Sequence, residues 1–136
     1  MKTRDLNGDI VDWKPKGEVV AAQDKRSRSK LHLDVRRILY DLFPTSQITE
    51  EVPIPVRRGT TQYFDFFIND IKLAVEAHGI QHYKYNSMYH STTAHFLQQK
   101  KRDIDKREWC EINNITLIEL PYSEGDEEWR TRIQNR

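Results

Sequence analysis

Tyr63-Phe64-Asp65-Phe66-Phe67-Ile68-Asn69-Asp70-Ile71-Lys72-Leu73-Ala74-Val75-Glu76-Ala77-His78-Gly79-Ile80-Gln81-His82-Tyr83 is the stretch on which the reading of this chain turns. Two runs rich in aromatic and β-branched residues flank Asn69-Asp70, and Asn and Asp tolerate the positive φ of a tight hairpin. With those two residues at the turn, Ile68 faces Ile71 and Asp65 faces Ala74. Side chains alternate between the two faces of a strand. One face then carries Phe64, Phe66, Ile68, Ile71, Leu73, Val75 and Ala77; it is wholly apolar and should meet the core. The other carries Tyr63, Asp65, Phe67, Lys72, Ala74, Glu76 and His78.

On that second face Asp65 and Glu76 become diagonal neighbours at roughly 7–8 Å. Carboxylates that close raise each other's pKa unless a cation sits between them. A hard divalent ion is the usual solution: Mg²⁺, with Mn²⁺ able to substitute. His78 lies two residues beyond Glu76 and suits proton transfer, its ordinary pKa being about 6.5. Gly79-Ile80-Gln81-His82-Tyr83 adds an amide, Gln81, and a second imidazole, His82, at the same end. The plainer alternative is two solvated acids on the open face of a half-buried sheet.

Asp65, followed after a hairpin by Glu76-Ala77-His78-Gly79-Ile80-Gln81-His82-Tyr83, resembles the core of the PD-(D/E)XK nuclease superfamily. The likeness is to its small branch of very-short-patch repair endonucleases, EDxHD homing endonucleases and short phage nucleases. Arg102-Asp103-Ile104-Asp105-Lys106 and Trp109-Cys110-Glu111 extend it, so that it covers roughly residues 27–130. The resemblance implies a Mg²⁺-dependent endonuclease acting on DNA, with Asp65, Glu76 and the carbonyl of Ala77 on the metal. It implies that His78 positions or deprotonates the attacking water, that Gln81 orients it, and that His82 protonates the leaving oxygen. His78 stands where the family usually has Lys. The family often places another acid on its first helix; Asp34 is the candidate by position and His32 the alternative. Glu50 or Glu51 on the preceding strand, and His90, are further accessory candidates. A catalytically inactive DNA-binding module on the same fold, or a protein-binding inhibitor, is the competing expectation.

Working outward, 136 residues suggest one domain with a core of its own. Twenty-two Lys and Arg against 21 Asp and Glu leave a net charge of +1, so the overall balance selects no partner. The distribution is more telling. Lys25, Arg26, Arg28, Lys30, Arg36 and Arg37 form one basic segment, and Lys100, Lys101, Arg102, Lys106 and Arg107 another, while acids gather from Glu119 to Glu128. A positive stripe of this kind can meet phosphates, with Arg57 and Arg58 adding to it. Cys110 is the single cysteine, so no internal disulfide forms and a reducing, cytoplasmic setting is expected. Met1–Leu6 lacks the apolar run of a signal peptide, and no stretch approaches the ~20 apolar residues of a membrane span. The protein is expected to act on DNA away from membranes, as a monomer or homodimer, with a repair or recombination partner as a further expectation.

Residues 1–26 read as an N-terminal hairpin arm turning at Asn7-Gly8, and residues 27–136 as the nuclease-like core. Ser27 or Ser29 should cap a helix from Lys30 to Phe43, with Leu31, Val35, Ile38, Leu39 and Leu42 inward and Arg36 and Arg37 outward. A strand from Gln47 to Ile54 leads through a basic loop, residues 56–61, into the central hairpin. A loop holding Tyr83, Tyr85, Tyr89 and His90 follows. Thr92 or Thr93 should cap a helix to Asn113 that buries Phe96, Leu97, Ile104 and Cys110 or Glu111. A strand at 115–120 should return parallel to the hairpin, and a terminal helix should dock by Trp129 and Ile133. The fold class is therefore α/β: a mixed sheet of about four strands flanked by helices.

Overall fold

A computed structural model describes residues 1–22, 24 and 29–136. Lys25, Arg26 and Arg28 of the first basic segment, Ser27 as a cap, and the boundary at residue 26 lie outside the described residues. The fold is mixed α/β, as expected, with five strands in the main sheet. A small hairpin, β1 (Lys2–Arg4) and β2 (Ile10–Asp12), is followed by β3 (Glu18–Val19) and α1 (Lys30–Leu42). Then come β4 (Ile48–Arg57), β5 (Thr60–Ile68), β6 (Leu73–His78), α2 (Thr93–Ile112), β7 (Thr116–Pro121) and α3 (Asp126–Gln134). The sheet order is β3-β4-β5-β6-β7; β6 and β7 run parallel and the other pairs antiparallel.

Helices cover both faces. Val35, Ile38 and Leu39 of α1 and Trp129 and Ile133 of α3 pack on Ile48, Phe66, Ile68, Leu73, Val75 and Leu120. Trp109 and Cys110 of α2, with Trp13 of the arm, pack on Val52, Ile54, Val56, Phe64, Phe67 and Ala74. The second face of the central hairpin is thus buried rather than open. This places Glu76 and His78 inside the protein, at 3% and 2% exposure.

The hairpin turn differs from the expected one. Asn69–Ile71 form a single 3₁₀ turn, and Lys72 takes the left-handed conformation at φ 50°. The register becomes Ile68↔Leu73, Phe67↔Ala74 and Phe66↔Val75. This slip of two preserves parity, so side chains keep their faces, but it brings Asp65 opposite Glu76 instead of diagonal to it. Alternation then fails at one point. Glu51 adopts φ 54°. Glu50 and Phe66 face α1, whereas Val52 and Phe64, only two residues away, sit with Trp109 on the α2 side. Phe64 therefore leaves the face assigned to it. Both strands turn over beside Glu51 and Asp65, which frees those two carboxylates from either core.

The arm is built into the sheet. β3 extends it by pairing with Glu50 and Thr49. A Cβ on Gly17 would stand 2.6 Å from the Glu50 carbonyl, so only glycine allows this approach. Beyond Glu50, β4 is an edge, which is why Pro53 and Pro55 fit within it. Trp13 Nε1 donates to the Pro53 carbonyl at 2.8 Å and Leu6 N–H to Val56 at 2.8 Å, so the arm closes that edge. The expected basic loop is instead the end of β4, a turn at Arg58-Gly59 and the start of β5; Gly59 has φ +72°.

Ser29 caps α1 by accepting from His32 N–H, and Thr92 caps α2 by accepting from His95 N–H. Arg36 points inward, against expectation, because Glu50 waits beneath it. On α2 the expected apolar stripe holds at Cys110, which is buried, and at the half-buried Phe96, but fails in between: Leu97 and Ile104 are exposed, and Asp103 and Trp109 are buried. The middle of this helix lies over polar groups of β6, so its inward face is polar there and apolar only near its end. No helix among the described residues is long and apolar enough to cross a membrane.

Candidate metal and acid–base centre

Asp65 and Glu76 lock each other through the backbone. Asp65 N–H donates to Glu76 Oε2 at 2.6 Å, and Ala77 N–H donates to Asp65 Oδ2 at 2.8 Å. The contact Ala77 makes with Asp65 is thus through its N–H. Burial pushes the Asp65 carboxyl well above the usual range, and the charge of Glu76 adds to it. Burial likewise raises Glu76, opposed by Lys106, whose Nζ donates to Glu76 Oε1 and to the Tyr63 carbonyl at 2.7 Å. Lys106 is therefore an inward residue of the centre, not one of a stripe of surface cations. Its ammonium arrives from α2, on the same side of β6 as His78.

Three ligand-type atoms, one each from His32, Glu51 and Asp65, lie within 4.8 Å of one another. An octahedral Mg²⁺ holds trans ligands about 4 Å apart and cis ligands about 3 Å apart, so this cluster would close by up to about 2 Å around an ion. His32 Nε2 contacts Glu50 Oε1 at 2.7 Å, so that Nδ1 is the ring nitrogen with a lone pair to offer an ion. An outer carboxylate on one ring nitrogen is what commonly orients a metal-binding imidazole. Arg36 forks onto the same Glu50 at 2.6 and 2.9 Å, and His32 stacks on Phe66 at 4.4 Å. Burial alone would raise Glu50, but the hydrogen bonds from His32 and Arg36 and their charge outweigh it and hold it at about 2. Glu50 thus supports the centre while Glu51 enters it. Asp34 does not: it pairs with Lys30 at 2.9 Å and Arg37 at 3.3 Å on the outer side of α1.

A second group lies on the α2 side. His78 and His82 stack in parallel with centroids 3.9 Å apart. His82 Nδ1 meets Asp103 Oδ2 at 2.9 Å, and Gln99 Nε2 donates to Asp103 Oδ1 at 3.1 Å. Burial would raise Asp103, but the bond from His82 and the charge of the histidines prevail, so it stays below its ordinary value. His78 Nδ1 stands 3.4 Å from Glu119 Oε2. Burial and the neighbouring His82 lower His78 to about 3, so this ring is neutral. Gln81 is half-buried in the turn between the two histidines. His90 lies apart, buried beside Tyr85 and Phe96.

The cations assigned to DNA are mostly partnered. Arg57 meets Asp105 at 3.2 Å, Arg58 meets Asp9 at 2.5 Å, and Lys101 stands 3.7 Å from Asp105. Lys100 lies over the Tyr83 and Phe96 rings at 5.6 and 5.5 Å. Arg102 has no carboxylate partner among the described residues.

Sequence reasoning anticipated Asp65, Glu76, His78 and His82 as neighbours. It placed Lys106 among the phosphate-meeting cations and gave Asp103 no role of its own. Their i,i+3 spacing was the available signal, since it places both on one helix face; what lay beneath that face was not readable.

The chain is similar to three viral proteins. It is 41% identical over 76 residues to "Uncharacterized protein 307L" of Invertebrate iridescent virus 6, a match covering 53% of this chain and 39% of that protein. It is 32% identical over 108 residues to "Uncharacterized protein 033L" of Invertebrate iridescent virus 3, covering 73% and 52%. It is 38% identical over 69 residues to "Uncharacterized protein 094L" of Frog virus 3 (isolate Goorha), covering 50% and 44%. The chain therefore spans about half the length, or less, of the curated relatives it matches. No family model matches it, and no solved structure does.

Proposed function

We propose that this protein is a metal-dependent endonuclease that hydrolyses phosphodiester bonds in DNA. The observation that carries the reading is the convergence of Asp65 with Glu51 and His32, backed by the buried Glu76–Lys106 pair. Two carboxylates with one imidazole suit Mg²⁺ or Mn²⁺. Asp65, Glu51 and His32 would hold the ion. When bound, such an ion activates a water and neutralises charge on the scissile phosphate.

The chain's own groups account for the rest. Lys106 presents an ammonium beside Glu76, where it stabilises negative charge developing on the phosphate. This supplies from α2 the cation that the resembled family carries at the position of His78. Asp103 holds His82 by Nδ1 and leaves Nε2 for proton transfer to the leaving oxygen. His78 keeps the His82 ring in place by stacking.

The test is incubation of supercoiled, branched and mismatched DNA with Mg²⁺, Mn²⁺ or EDTA, beside Asp65→Asn and Lys106→Met. Metal-dependent nicking should fall by about 10²-fold or more in either variant, the usual size of losing a charge-stabilising group. Cleavage that survives in EDTA, or in Asp65→Asn, would sink the reading. One observation favours a second reading, a DNA-binding module without catalysis: both Glu76 oxygens are already satisfied within the chain. Salt-sensitive DNA binding with no cleavage of any substrate would select it.

A further inference from the structure

His90 sits in the loop between β6 and α2 and is 4% exposed. Its Nδ1 accepts from the Asn86 backbone N–H at 3.0 Å, while its own N–H donates to the Asn86 carbonyl at 2.7 Å. A backbone amide can only donate, so Nδ1 must be the unprotonated nitrogen and the ring proton resides on Nε2. That Nε2 is buried and has no acceptor among the described residues. A buried donor without a partner is unfavourable and calls for explanation.

His90 lines a depression of roughly 260 Å³ together with Tyr89, His95, Gln98, Gln99 and Arg102. At on the order of 30 Å³ per water, that is room for a phosphate group and part of its sugar. No carboxylate lines it. Every lining side chain offers a donor, and Arg102 adds a fixed charge that no carboxylate among the described residues takes up. Arg57, Arg58, Lys101, Lys106 and Arg107, by contrast, all face carboxylates. Gln99 also reaches Asp103, so the depression adjoins the His82 group.

We propose that this depression is a phosphate subsite, in which Arg102 binds the oxygens of a nucleic-acid phosphate next to the one that is cut and the loop carrying His90 shifts enough for its buried Nε2–H to reach them. It deepens the nuclease reading and rests on it for the identity of the strand, but not for the binding of phosphate.

The test follows the His90 ring by long-range ¹H–¹⁵N NMR in the intact chain while inorganic phosphate is added, with chloride at matched ionic strength as reference. The same titration is repeated with short DNA bearing a 5′-phosphate or a 5′-hydroxyl. Arg102 lies exposed on α2, so Arg102→Gln should fold normally; His90→Asn is the companion variant. Saturable shifts of Nε2 with phosphate, weakened about tenfold or more in Arg102→Gln, are expected for loss of a charge-assisted bond. Tighter binding of the 5′-phosphorylated strand would identify a terminal phosphate, and equal binding an internal one; both support the subsite. Phosphate binding with no DNA bound or cut would keep the subsite and remove the nuclease reading. DNA binding or cleavage with an unmoved His90 ring and no effect of Arg102→Gln would overturn the subsite and leave the nuclease reading intact.

Discussion

The surroundings of Asp65 disfavour its ionised form. Burial first, and Glu76 second, raise its pKa above that of the unfolded chain. A raised carboxyl binds more protons folded than unfolded, so the folded state loses stability as pH rises through that range. At neutral pH Asp65→Asn should therefore stabilise: Asn keeps an oxygen for Ala77 N–H and carries no charge. A rise in melting temperature of a few degrees at pH 7, vanishing below about pH 4, is expected in metal-free thermal melts. Adding Mn²⁺ should raise the wild-type melting temperature and leave Asp65→Asn unmoved. A variant melting lower than wild type at pH 7 would contradict this account. Asp65 was legible as a candidate site residue because an acid inside an aromatic strand has little structural reason to be there. Lys106 was not, since one Lys in a charged helix is indistinguishable from a solvated one.

Elements are joined by two devices of different kinds. Glu50 of β4 with His32 and Arg36 ties α1 to the sheet. Glu50 ionises at about 2 when folded and near 4.5 when unfolded, so its stabilisation is complete above about 4.5 and is lost as pH falls towards 2. Glu50→Gln should remove that acid limb from a urea-stability profile. Because Arg36 is then left buried without its carboxylate, it should also cost about 3–5 kcal/mol at pH 7. On the opposite face Trp109 of α2 packs edge-on against Trp13 at 5.2 Å and Phe64 at 6.0 Å. Its indole N–H has no partner among the described residues, so nothing polar is lost in Trp109→Phe. Trp109→Ala should cost about 3–5 kcal/mol and Trp109→Phe far less, measured by urea denaturation. Element type and order were readable because helices and strands carry different hydrophobic periods. The inward face of α2 was not, because a helix over a polar site inverts the rule that apolar residues face in.

At the scale of the whole molecule, charge is organised by pairing more than by patches. Counterion release scales with the phosphates that cations reach, at a slope of about 0.9 per contact. Replacing Lys100 and Arg102 with Gln should flatten the dependence of DNA affinity on salt by roughly 2 in log–log slope. The same change at Arg57 and Arg58 should leave it almost unaltered, since Asp105 and Asp9 already hold them. Equal effects of the two double variants, measured by fluorescence anisotropy across salt, would contradict the pairing argument. The sequence by itself determined the fold class, the central hairpin and its two acids, the starts of α1 and α2 to within two residues, the parallel return of β7 and the docking of α3. These depend on local propensity and on periods that any short window displays. Tertiary structure decided the rest: the two-residue slip at Asn69–Lys72, the turnover of β4 and β5 at Glu51 and Asp65, the inward turn of Arg36, and the arrival of Lys106 and Asp103 over β6. Each depends on what a distant segment presents across a packed interface, and no local pattern encodes that.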